Sequence, residues 1–166
     1  MKSLSDIKKI ARETIAIELA AVAKLKSSIN DDFVNAINLI LSTKGRLIVA
    51  GIGKSANIAN KMVATFNSTG QPALFLHAAD AIHGDLGNIQ DGDVVICISK
   101  SGNTPEVKAI VPFIKNMGNK IIALTGTPKS FLAIESDFIL DVSVEKEACP
   151  NNLAPTSSTT AQLVMG

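Results

Sequence analysis

Apolar residues recur at helical spacing from Leu4 to Leu25, at Ile7, Ile10, Ala11, Ile15, Ala16, Leu19 and Val22, and a second run of this period extends from Phe33 to Leu41. Steps of three and four residues gather apolar side chains on one helical face, so two leading helices are predicted. Asn30-Asp31 stands where a cap for the second is needed, and Gly45 is expected to end it. Beyond Gly45 the period changes. Short, nearly continuous apolar runs occupy residues 46–50, 73–76, 94–98, 120–125 and 138–142, separated by turn residues and helix-like stretches. Strands buried on both faces read this way. The pattern therefore predicts a doubly wound α/β fold, with a five-stranded, mostly parallel sheet flanked by helices and preceded by the N-terminal helices. Ligands of such folds sit beyond the carboxyl ends of the strands, where the strand order reverses.

The polar segments that follow these strands carry the candidate chemistry. Ser99-Lys100-Ser101-Gly102-Asn103-Thr104-Pro105-Glu106 places three hydroxyls within six residues at a strand-to-helix turn, more than capping requires. Hydroxyls and unpaired N–H groups at the positive end of a helix dipole suit a phosphate dianion. Gly51-Ile52-Gly53-Lys54-Ser55-Ala56 matches a loose dinucleotide fingerprint and the tail of a Walker A loop, but Ile48 stands where a Walker A needs glycine. Leu76-His77 stands where a dinucleotide site needs an acid, which disfavours a nucleotide-binding module. What remains is a tight turn with the Lys54 ammonium and the Ser55 hydroxyl at a helix start.

His83, in His83-Gly84-Asp85-Leu86-Gly87, is a candidate acid–base residue, whereas His77 reads as a strand-end residue bonded to backbone. The six-residue separation of the two histidines fits no standard metal pair. Glu106 falls in the first turn of the helix after the phosphate turn, where the dipole alone favours a carboxylate. Glu145-Lys146-Glu147-Ala148-Cys149-Pro150 crowds two carboxylates and a lysine past the last strand, and Pro155-Thr156-Ser157-Ser158-Thr159-Thr160 offers a second hydroxyl-rich helix start.

Composition narrows the function classes. With 166 residues of which 46% are hydrophobic, the chain is expected to form one domain, 1–166, with its own core. A net charge of +1 argues against a nucleic-acid or membrane-seeking surface, so anion binding has to be local. Trp and Tyr are absent. Cys97 and Cys149 form neither a C-x-x-C pair nor a disulfide framework, so a reducing cytoplasm is expected. The final helix has barely begun its apolar face when the sequence stops, and a longer parent protein is expected.

Together, Gly51-Ile52-Gly53-Lys54-Ser55, His83-Gly84-Asp85-Leu86-Gly87, Ser99-Lys100-Ser101-Gly102, Lys146-Glu147-Ala148-Cys149-Pro150 and residues 153–160 resemble the sugar isomerase (SIS) domain of the arabinose-5-phosphate isomerase family. The resemblance covers the chain from Gly45 onward. It implies interconversion of ribulose 5-phosphate and arabinose 5-phosphate through an enediol, feeding 3-deoxy-octulosonate synthesis for lipopolysaccharide or capsule, with no metal or organic cofactor. It places Ser99, Ser101 and Thr104 on the phosphate, with Ser55, Thr156, Ser157 and Ser158 nearby, and associates Lys54, His83, Glu106 and Glu147 with catalysis. Base and acid are not assigned among these four. A carboxylate serves as base only if its surroundings raise its pKa toward neutrality. The resemblance further implies a cytoplasmic homotetramer whose sites borrow side chains from neighbours. It also implies a continuation with a second histidine in a His-Pro-Gly-Gly segment, which this sequence does not contain. The alternative is a non-catalytic sugar-phosphate sensor.

Overall fold

In the computed structural model, which describes residues 3–166, every residue of the strand β1 (Leu47–Gly51) is buried. Helices α1 (Leu4–Lys24) and α2 (Asp31–Ser42) precede it, joined through a 3-10 turn at Leu25–Ser28. After β1 come α3 (Lys54–Ser68), β2 (Ala73–His77), the short α4 (Ala78–Ala81), β3 (Val94–Ser99), α5 (Pro105–Asn116) and β4 (Lys120–Thr125). The short α6 (Phe131–Glu135), β5 (Phe138–Asp141) and α7 (Ser157–Met165) complete the order.

All four strand pairings are parallel, in the order β2-β1-β3-β4-β5. Burial on both sides follows from strand alternation. Leu47, Val49, Ile96 and Leu124 point into one core with residues of α2, α3 and α7, while Ile48, Ala50, Val95 and Ala123 point into the other with α4, α5 and α6. This is the doubly wound fold the apolar runs predict. The order reverses between β1 and β3, so the crevice expected to hold a ligand opens outside the carboxyl ends of those two strands.

Two boundaries differ from the expectation. The first strand begins at Leu47 because Arg46 is engaged elsewhere: its N–H donates to Asp93 Oδ1 at 2.8 Å, and its guanidinium reaches Asp93 Oδ2 and the Asn88 carbonyl, each at 2.7 Å. Burial pushes the Asp93 carboxyl up, but the Arg46 bonds outweigh it and hold the group below the usual carboxylate range. The second helix stops at Ser42, short of Gly45. Thr43 already turns outward with extended backbone, and its hydroxyl donates to the Gly92 carbonyl at 2.7 Å. Gly45 serves a different purpose, since a Cβ there would fall onto the Gly92 backbone.

The leading helices are firmly started. Ser3 and Asp6 form a reciprocal capping box, and Asn30 accepts the Phe33 N–H at 3.2 Å. α1 packs on α7 but leaves Leu4, Ile15 and Leu19 66–79% exposed. No helix among the described residues is long and apolar enough to cross a membrane.

Candidate functional site

β3 ends at Ser99, and the chain must turn at once to begin α5 at Pro105. The turn is pinned from several sides. Ser99 Oγ and Thr104 Oγ1 lie 2.7 Å apart, Ser99 Oγ accepts the Gly102 N–H at 3.0 Å, and Ser101 Oγ accepts the Asn103 N–H at 3.1 Å. Across the turn, Leu132 N–H donates to the Gly102 carbonyl at 3.0 Å and Phe131 N–H to Asn103 Oδ1 at 3.2 Å, tying the turn to α6. The hydroxyls therefore do more than cap, and Thr104 makes no side-chain cap bond. The first N–H groups of α5 have no intrahelical acceptor and add to the positive end of its dipole.

This turn forms one wall of a cleft of about 420 Å³ at the ends of β1 and β3. Lys54 and Ser55 at the start of α3 form a second wall, and residues 152–155 with Ser158, Thr159 and Gln162 form a third. Of the residues singled out in the sequence, Lys54, Ser55, Ser101, Thr104, Glu147 and Ser158 meet here. Ser55 Oγ donates to Gln162 Oε1 at 3.3 Å, joining α3 to α7 across the cleft floor.

The remaining candidates do not line the cleft. Ser99 is buried and spends its hydroxyl on the turn itself. Thr156 accepts the Ala148 N–H at 2.8 Å and donates to Glu147 at 3.1 Å. Ser157 is fully buried and faces Glu18 of α1 at 3.5 Å. In this structure these three hold the walls in place through those bonds. His83 is exposed in the loop after α4, and Glu106 is half-buried on α5 outside the cleft lining.

Glu147 is the electrostatic centre of the cleft. Its side chain is 4% exposed and accepts from Lys100 Nζ at 2.5 Å, while its other oxygen accepts from the N–H groups of Thr156 at 2.8 Å and Ser158 at 3.1 Å. The carboxylate thus caps α7 from a distant loop, in place of a side chain at the cap position. Burial pushes its pKa up, but the Lys100 bond and the Thr156 and Ser158 donors outweigh burial and hold it at about 2. The raised pKa that a general base needs is absent from this arrangement. Carboxylate and ammonium here are instead a matched pair.

Lys100 and Gln162 line the cleft without having been candidates, and Thr159 of the second hydroxyl-rich helix start lines it as well. Lys100 lies inside the hydroxyl-rich turn, where the hydroxyls carry the signal, and Gln162 lies among apolar helical residues. Among the described residues no group of three or more His, Cys, Asp or Glu stands close enough to hold a metal ion. A smaller cavity of about 270 Å³ against α1, beside Glu145 and Lys146, contains none of the candidates.

Residues 40–166 match the model of the SIS domain family. The chain belongs to the SIS domain family. This SIS domain is 50% identical over 156 residues to arabinose 5-phosphate isomerase KdsD of Pseudomonas aeruginosa, covering 94% of this chain and 48% of that protein. To arabinose 5-phosphate isomerase GutQ of Escherichia coli K12 it is 47% identical over 155 residues, covering 93% of this chain and 48% of the relative. The SIS domain thus spans about half the length of the curated relatives it matches. Among solved structures it superimposes on the c3406 protein of E. coli CFT073, in complex with arabinose 5-phosphate, with a TM-score of 0.93 and 40% identity, covering 98% of this chain and 87% of that one.

Proposed function

We propose that this SIS domain binds a five-carbon sugar phosphate and serves an isomerase that interconverts ribulose 5-phosphate and arabinose 5-phosphate for 3-deoxy-octulosonate synthesis. The observation that carries the reading is the convergence of Lys54, Ser101, Thr104 and Glu147 on one cleft at the strand-order reversal. The relatives named arabinose 5-phosphate isomerase, and a structural neighbour solved with arabinose 5-phosphate, support the same substrate class. The phosphate is assigned to the Ser101 and Thr104 hydroxyls and the N-terminus of α5, with Ser55 and Ser158 toward the sugar.

Aldose–ketose exchange starting from the ketose removes a proton from C1 while an acid protonates the C2 oxygen, giving the enediol. Return of a proton to C2 and loss of the O1 proton yield the aldose. Lys54 is positioned to stabilise negative charge developing on oxygen. His83, exposed and outside its own cleft, is assigned to the site of a neighbouring copy in a homotetramer, with Glu106 and Glu147 as the carboxylates available for proton transfer. The exposed apolar side chains of α1 support such an assembly. Sedimentation of the purified chain is expected to give a species heavier than the 17.4 kDa monomer, and a monomer at all concentrations would remove the borrowed-histidine assignment.

Ser101→Ala is expected to weaken sugar-phosphate binding by about 10- to 100-fold, because a charge-assisted hydrogen bond contributes roughly 1.5–3 kcal/mol. Calorimetry against arabinose 5-phosphate measures this directly, and unchanged affinity would move the phosphate elsewhere. Function is tested by following ribulose 5-phosphate by NMR with this chain and with one extended through the His-Pro-Gly-Gly segment. Binding by both with turnover confined to the extended chain is expected. Binding without turnover by either would identify a sensor.

A further inference from the structure

We propose that Lys100 is a shared cation: a dianion held at Ser101 and Thr104 draws its ammonium away from Glu147, so that ligand binding itself strips the buried carboxylate of its counter-ion and makes it a proton acceptor. The inference rests on the phosphate reading above and adds a residue that reading does not use.

The geometry favours exchange over a fixed structural pair. The Lys100 backbone is immobilised, since its carbonyl accepts the Gly126 N–H at 3.0 Å and the hydroxyls of Thr125 and Thr127, each at 3.4 Å. Its side chain is not. It is 52% exposed, lines the same cleft as Ser101 and Thr104, and reaches Glu147, its one side-chain hydrogen-bond partner among the described residues, through a flexible four-carbon stem. A lysine ammonium is a point charge that can be re-aimed, where an arginine fork would be committed to its carboxylate.

Glu147 is built to survive the loss. Only one of its oxygens faces Lys100, and the other keeps the Thr156 and Ser158 N–H groups and the Thr156 hydroxyl, so α7 stays capped when the ammonium moves. The charged residues lining the cleft are Lys54, Lys100 and Glu147. α7 contributes only uncharged donors to the carboxylate, and the neighbouring Glu145 and Lys146 line the separate cavity against α1. Removing Lys100 therefore leaves burial, which favours the protonated acid, opposed only by neutral donors and by Lys54 across the cleft. A carboxylate held ionised and inert by Lys100 becomes basic only when the dianion is in place, which keeps proton transfer coupled to occupancy.

The test follows the Glu147 side-chain carboxyl carbon by NMR through an acid titration of the 13C-glutamate-labelled chain, with and without saturating sulfate. Sulfate is the probe because it stays a dianion much further into acid than a phosphate monoester does, covering the range into which the Glu147 midpoint is expected to rise, and sodium chloride at equal ionic strength is the control. Amide shifts at Ser101 and Thr104 report occupancy independently. Sulfate is expected to raise the Glu147 midpoint by about 1–3 pH units, the range set by an opposite charge at contact distance. In Lys100→Gln the midpoint should start high and respond little to sulfate, while Lys100→Arg should start low and respond less than the parent. The parent titration alone decides the matter if Lys100→Gln does not fold. Amide shifts with an unmoved Glu147 midpoint would overturn the exchange while leaving the phosphate site standing, and the absence of amide shifts would overturn both.

Discussion

Gly102→Ala is expected to abolish measurable sugar-phosphate binding, lowering affinity by about 10²- to 10⁴-fold, and to cost roughly 2–4 kcal/mol of stability. Gly102 holds φ +61°, a region unfavourable to side chains, and an added Cβ would overlap the Ser130 side chain. Ser130 is buried and caps α6 by accepting the Ala133 N–H at 3.4 Å, so it cannot retreat freely. The turn must yield instead. Its Ser99 bonds and its Leu132 tie are then lost together, and the hydroxyls of Ser101 and Thr104 no longer converge. Calorimetry with arabinose 5-phosphate and urea unfolding measure the two effects. A variant that binds normally would show that the turn tolerates another path and does not set the phosphate geometry.

The second large effect concerns acid stability. Glu147 has a pKa of about 2 in the folded protein against an ordinary value of 4.5, a depressed folded value. The stability it contributes is therefore complete above pH 4.5 and is lost as pH falls from there toward 2. At 1.36 kcal/mol per pH unit this gap corresponds to about 3 kcal/mol. Glu147→Gln is expected to be less stable than the parent by up to about that amount at pH 7 and to converge with it near pH 2, so that the difference between the two acid limbs is the Glu147 contribution. Urea unfolding at pH 7, 5 and 3 measures the convergence. Parallel curves through this range would show that Lys100 and the α7 N–H groups do not govern the carboxylate.

The legible parts of this chain are those set by local pattern. Runs such as Val94–Ile98 announce a strand because both faces are buried and no polar residue interrupts them, and Asn30 announces a cap because its side chain bonds three residues on. The hydroxyl turn after β3 is legible as a turn. What each hydroxyl does is not. Ser99 sits at the last paired position of β3, opposite Thr125, and points into the turn, a direction fixed by register with β4. The pairing of Lys100 with Glu147 joins residues 47 positions apart and depends on where the loop after β5 folds back. Nothing in the turn around Lys100 or in the charge run around Glu147 marks either one as the partner of the other. His83 illustrates the same boundary: its loop can be read at the sheet's carboxyl edge, but which cleft it faces depends on packing between elements that the chain's pattern does not encode.

The parallel order β2-β1-β3-β4-β5 has a consequence for how the molecule comes into being at the ribosome. β1 lies between β2 and β3, so one of its edges remains unpaired through the synthesis of α3, β2 and α4, and the sheet cannot extend until β3 emerges. The cleft draws on residues from Ile52 to Gln162, and the carboxylate that closes α7 is made only after all five strands. Translation must pass Gln162 before the cleft has all its walls. An anion such as a sugar phosphate can therefore stabilise the finished domain but cannot template its early folding, and the exposed edge of β1 must be sheltered meanwhile by the chain itself or by a chaperone.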